Sequence, residues 1–306
     1  MTAEGSETAA SSKWGPDDEL GTLNLISSAS VLAALSLART GRVVELGRML
    51  EPGMPVSDFH GAYFANMQYT LDNAAAWHES HRGRPRNGYS AQNMRLSMSD
   101  QSGTHIDQLN HVGVRGEDGR YRLYNGLIND DIVSSFGTSR LGAESLPPII
   151  CRGVLLDVAR SHGDDLPAGH AVSREDLERI LDRSGQELRA GDAVVIRTGW
   201  ARHWDDPATY VAGEPGLTPE CATWLAGFDP LLVGADNFAV DVVPPVHEGE
   251  LLPVHIELLV EHGIRLVENL DLDELSASGS VEFCFLALPL KLRGATGSPL
   301  RPVAVL

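Results

Sequence analysis

Four short apolar runs separated by helix signals constrain the fold of this chain more than any other feature. "CRGVLLDVAR" (151–160), "DAVVIRTGW" (192–200), "LLVGADN" (231–237) and "IRLVENL" (264–270) each read as a strand. Between them lie helical patterns. "VSREDLERILDRSG" (172–185) has Ser173 as N-cap, an acid three residues on and Gly185 as stop. "LTPECATWLAGF" (217–228) opens with Thr218 and Pro219 at N-cap and N1. A third helix is predicted over roughly 250–262, ending at Gly263. Strands alternating with helices argue an α/β architecture. "RVVELGRML" (42–50), residues 91–100 and "VEFCFLALPLKL" (281–292) add strands, and a helix over 28–39 precedes them, closed by Gly41. Residues 51–90, rich in Gly, Pro, His and aromatics, read as a long irregular excursion of the kind that forms lids or pocket walls. Residues 1–13 lack apolar periodicity and are expected to be a disordered lead, with 14–306 as a single domain.

Composition narrows the partners. The chain carries 42 acidic against 24 basic residues, a formal charge of −18, which argues against nucleic acid and anionic membranes as ligands. Its three cysteines, Cys151, Cys221 and Cys284, have no Cys-x-x-Cys spacing, so neither a disulfide framework nor a thiolate metal site is suggested. The polar, acidic N-terminus has no apolar core for a signal peptide, and no apolar run is long enough to span a bilayer. The expectation is a cytoplasmic protein acting on a small molecule.

"MSDQSGTHIDQLNHVG" (98–113) carries Asp, Asn and Gly where a strand normally does not. In extended chain, residues of equal parity share a face, so Gln101, His105 and Asp107 would look into one pocket, with His111 beyond them. An imidazole and a carboxylate two residues apart suit Zn²⁺ or Mn²⁺. The same spacing also suits a hydrogen-bonded structural His–Asp pair. A Ser102–His105–Asp107 triad is disfavoured, because Ser102 faces the other way and triad members normally come from distant segments. No H-E-x-x-H, G-x-S-x-G or glycine-rich phosphate loop is present.

A second cluster, "PVHIELLVEHGIRLVENLDLDEL" (253–275), places His255 on a helix and Glu268 on the strand after it. Together with "SGTHIDQLNH", it resembles the cyclase family of metal-dependent hydrolases, whose signature is H-x-G-T-H-x-D-x-P-x-H followed late in the chain by a His-bearing helix and a strand with "ENL". "LEPGMPVSD" (50–58), "GADN" and the closing "ATGSPLRPVAVL" also look like family segments, and "WGPDDELGTLNLI" resembles its longer-chain branch. The resemblance implies a swivelling β/β/α domain, a mixed central sheet or barrel flanked by helices. It implies His105, Asp107 and Glu268 as ligands of a divalent metal, Mn²⁺ or Zn²⁺, with His111 and His255 handling protons. Gln101 replaces the first signature histidine and would offer an amide oxygen, and Leu109 replaces the signature proline. More oxygen ligands shift preference towards Mn²⁺.

The implied activity is metal-assisted hydrolysis of an amide or lactone in a small cyclic or N-acyl aromatic molecule. Two other readings stand beside it: a cyclase or dehydratase of a biosynthetic intermediate, and a metal-free binding protein of the same fold. Phe59, Tyr63, Phe64 and Trp77 would suit stacking over a planar substrate, or else ordinary packing. His60, His78 and His81, in the same excursion, read as solvated loop. Family members are commonly dimers or tetramers, so a homo-oligomer is expected.

Overall fold

The computed structural model describes residues 12–163 and 165–306. Nine strands form the central sheet: β1 (Val43–Glu45), β2 (His105–Asp107), β3 (Ile149–Asp157), β4 (Ala193–Arg197), β5 (Leu232–Ala235), β6 (Arg265–Glu268), β7 (Glu282–Ala287), β8 (Gly297–Pro299) and β9 (Val303–Val305). Their spatial order is β1-β9-β7-β3-β4-β5-β6-β2-β8. The four runs that dominate the sequence are the parallel centre, β3 to β6. Antiparallel strands extend the sheet on both sides, β7 against β3 and β2 against β6.

The parallel strands are apolar throughout because both their faces are covered. In β4, Ala193 and Val195 enter one core while Val194 and Ile196 enter the other. β3 divides the same way, Ile149, Cys151 and Leu155 to one side and Val154 and Leu156 to the opposite one. Helix α1 (Ser28–Leu35) starts at a Ser27–Ser30 capping box, and α2 (Leu71–Arg82) is capped by Thr70. Helix α3 (Arg174–Ser184) begins at the expected Ser173 cap, reciprocated by Asp176, and ends at left-handed Gly185. Helix α4 (Pro219–Ala226) has Thr218 and Pro219 in the expected positions.

Three expectations need correction. The excursion over 51–90 is not irregular: it contains strand Phe64–Tyr69, paired with Asn93–Ser97, and then α2. Ala74–Ala76 favours that helix, but both strands are largely exposed and so lack the alternation that marks a half-buried strand. The strand over 91–100 stops at Ser97, and β2 starts anew at His105 after a turn through Gly103 (φ +64°). The helix over 250–262 is α5 (Pro253–His255) running into a wider π-helical stretch, Ile256–Glu261. Of the lead expected over 1–13, residues 1–11 lie outside the described residues; Ser12 donates from its backbone to Asn125 Oδ1 at 2.8 Å.

Candidate metal centre

β2 runs between β6 and β8, with Glu268 across from His105 and Gly297 across from Asp107. The two-residue period turns His105 and Asp107 to one side and Ile106 into the core. His105 Nε2 lies 3.4 Å from Asp107 Oδ1 and 3.3 Å from Glu268 Oε2. Helix α5, entered through left-handed Leu252, brings His255 to the same place. Its Nε2 is 3.1 Å from Glu268 Oε1 and 3.5 Å from Asp107 Oδ2. Two carboxylates and two imidazoles, all buried, converge from three elements.

Both rings are held from behind. His105 Nδ1 donates to the Gly103 carbonyl at 2.9 Å, which also accepts from Asn269 Nδ2 at 3.0 Å. His255 Nδ1 meets Asp241 Oδ2 at 2.7 Å, and Asp241 also accepts from the backbone amides of Val254 and His255. The loop bearing Asp241 is tied by Glu214, whose carboxylate accepts from Phe238 N at 2.6 Å and Ala239 N at 2.7 Å. Sequence reasoning missed Asp241 and Glu214. The signal for Asp241 was an acid set within the apolar run "AVDVV" (239–243).

The electrostatics follow from this packing. Burial alone would raise the Glu268 carboxyl, but hydrogen bonds from His105 and His255 overcome it and bring the group to about 2. Burial would lower His105, yet Asp107 and Glu268 push it up to about 10. His255 rises well above its ordinary value for the same reason, with Asp241 the largest contributor against burial. Carboxylates and imidazoles thus favour one another's charged forms, and a divalent cation bound there would compete with protons for the same atoms.

The donor set fits such a cation. Among the described residues, both Asp107 oxygens and Gln101 Oε1 are buried atoms with no hydrogen-bond partner. Buried polar groups are normally satisfied, so these unsatisfied acceptor atoms suit a cation. Asp107, His111 and His255 each place a ligand atom within 4.8 Å of the others'. A second such grouping among the described residues, His162, His170 and Asp176, is different. There the carboxylate already accepts from Ser173, His162 and Arg179.

Gln101 comes from the turn rather than the strand, and its side-chain nitrogen lies 3.2 Å from His111 Nδ1. The His111 ring lies between those of His255 (6.2 Å) and His60 (6.4 Å). Burial, partly offset by Asp107, holds His111 below its ordinary value, and His60 is lowered mainly by burial too. His60 is therefore a half-buried residue at the site and not solvated loop. The four aromatics do not come together. Phe59 stands edge-on to His60 and is 89% exposed, whereas Phe64 is exposed on its hairpin. Tyr63 packs on the Met54–Trp200–Trp204–Tyr210 cluster, and Trp77 stacks on His81 beside a cavity of about 210 Å³ that is lined by His78 but by none of His60, His105, Asp107, His111, His255 and Glu268.

Comparison with known proteins identifies the family and the fold. A family model described as "Putative cyclase" matches residues 44–242. His255 and Glu268 lie beyond that match, so the fold itself brings them to the centre. Isatin hydrolase of Roseibium aggregatum is 25% identical over 222 residues, 69% of this chain and 73% of that protein. A kynurenine formamidase of Bacillus thuringiensis is 28% identical over 212 residues, 68% and 78% of the two chains. The crystal structure of a novel cyclase superposes with a TM-score of 0.84 at 32% identity, covering 96% of each chain.

Proposed function

The chain belongs to the cyclase family, and from that premise we propose that it is a metal-dependent hydrolase opening an amide or lactone bond of a small cyclic or N-acyl aromatic substrate. The observation that carries this reading is the convergence of Glu268 and His255 on His105 and Asp107. His105, Asp107 and Glu268 would hold the ion, with Gln101 Oε1 as a further oxygen donor. A divalent cation there supplies acidity, lowering the pKa of water to about 7, and polarises the scissile carbonyl. His111 and His255 flank the centre and move the protons of the reaction. Phe59 stands edge-on to His60, whose ring lies 6.4 Å from that of His111, and Tyr63 belongs to the apolar cluster whose Met54, together with Leu50, backs Gly103.

The oxygen-rich donor set favours Mn²⁺ over Zn²⁺. Exposed Phe64, Met67, Met94 and Leu96 on the 64–69/93–97 hairpin support a homodimer or homotetramer; a monomer mass by light scattering would overturn it. Three buried, unpaired cysteines suit a reducing cytoplasm, a reading that export of the full-length protein from its host would overturn. No helix among the described residues is long and apolar enough to cross a membrane.

The test is hydrolysis of isatin-type, N-formyl and lactone substrates with Mn²⁺ or Zn²⁺ added. Turnover of at least one class is expected. Failure with all three contradicts the hydrolase reading.

A further inference from the structure

We infer that Asn269, held by Tyr210, is a positioning residue that locks the turn entering β2 to the end of β6 and so sets the spacing of His105 and Glu268. The inference rests on the reading that those two side chains hold an ion. The β6–β2 ladder is only two pairs long, Val267 with Ile106 and Glu268 with His105, so it ends at the candidate ligands themselves. The next residues along direct main-chain groups elsewhere. Asn269 N donates to Asn237 O at 2.9 Å, and Thr104 O accepts from Leu300 N at 2.8 Å.

The backbone turns aside at Asn269, whose φ of +57° lies in the left-handed region. Asparagine tolerates that region better than most residues with a Cβ. Side chains then carry the connection that the ladder drops. The Thr104 hydroxyl accepts from Arg48 N at 2.8 Å and gives its one hydrogen to the Asn269 carbonyl, 2.6 Å away. Asn269 Nδ2 donates to the Gly103 carbonyl at 3.0 Å, beside the bond that His105 Nδ1 makes to the same oxygen at 2.9 Å.

The direction of the Asn269 amide follows from its partners. A main-chain carbonyl only accepts, so the end facing Gly103 is the NH₂. The other end, Oδ1, must accept, and the Tyr210 hydroxyl donates to it at 2.9 Å. That hydroxyl faces one other acceptor, Asp236 O, at the longer distance of 3.3 Å. Gly103, Thr104, Tyr210 and Asn269 are all buried, which shields these bonds from competing water. All four polar atoms of Asn269 have protein partners, so it acts through His105 and not on a substrate. Its amide also holds Asn237, at the start of the loop whose Asp241 supports His255. One residue thus fastens β6, the entry to β2 and that loop together.

The test is Asn269→Gly, because glycine keeps the left-handed backbone and deletes only the side-chain bridge. Mn²⁺ affinity of the full chain, read as free Mn²⁺ by electron paramagnetic resonance, is expected to fall by about 10–100-fold. Tyr210→Phe should weaken Mn²⁺ by less, and should cost nothing further in the Asn269→Gly background, since the hydroxyl acts through Oδ1. Unchanged affinity in Asn269→Gly, or a Tyr210→Phe loss that adds to it in full, overturns the inference. A second measurement needs no metal. Hydrogen exchange of the metal-free chain should quicken in Asn269→Gly over 103–107 and 265–268 and stay unchanged over β3. Equal exchange at 103–107 in wild type and variant also overturns it. Wild type that binds no Mn²⁺, with exchange responding as expected, would end the metal reading and support the lock.

Discussion

Glu268 stands directly opposite His105 across the β6–β2 ladder, and its Oε2 lies 3.3 Å from His105 Nε2. Residues 163 positions apart therefore share one point because two antiparallel strands place them in register. If that point is an ion site, ligands and proton carriers there must separate experimentally. Asp107→Ala should abolish metal retention, measured by elemental analysis of protein purified without chelator. His111→Ala should keep the metal and lose rate. Equal retention by both would show that the ligands are misassigned.

Asp241 acts through His255. Its Oδ2 holds Nδ1 at 2.7 Å, while its two oxygens accept the Val254 and His255 amides. Partners of this kind fix ring orientation, and losing one typically lowers metal affinity or activity by about 10–100-fold. Asp241→Asn is expected to lose kcat in that range while KM changes little. A variant with wild-type kcat would remove Asp241 from the site.

Gly103 is a position where no other residue fits without strain. Its φ is +64°, and a Cβ would lie 2.3 Å from Leu50 Cδ2. Left-handed backbone costs a non-glycine residue roughly 1–2 kcal/mol, and overpacking commonly about 1–3 more. Gly103→Ala should therefore lower the melting temperature by several degrees. It should also weaken metal binding, because the Gly103 carbonyl orients His105. Unchanged metal affinity in a destabilised variant would argue against that second link.

The N-terminal segment should release in acid. Burial would raise Asp18, but hydrogen bonds from Tyr124, Asn24, Leu20 and Gly21 hold its carboxyl below the ordinary 3.8. A carboxyl lowered by folding contributes stability that is complete above 3.8 and is lost as pH falls through the lower folded value. Hydrogen exchange over residues 12–25 should lose protection in that window. Tyr124→Phe removes the 2.6 Å bond to Asp18 and should move the loss to higher pH. Identical profiles in the two proteins would dissociate Asp18 from the docking of this segment.

Much of the centre was legible because strands impose a period of two: His105 and Asp107 share a face for that reason alone. The parallel core was legible from runs buried on both sides. Glu268 and His255 were reachable only through resemblance, since no local rule joins residue 107 to residue 268. Asp241 was not legible, because it reaches His255 through a loop contact. The strand Phe64–Tyr69 within 51–90 was hidden for a different reason. Its apolar side chains face outward, so burial leaves no pattern to read.

Anomalous scattering from crystals soaked in Mn²⁺ and, separately, Zn²⁺ tests the shared-ion centre most directly. The expected result is one strong peak bounded by Asp107, His105 and Glu268. A peak only at His162, His170 and Asp176, or none bordering Asp107, would contradict it.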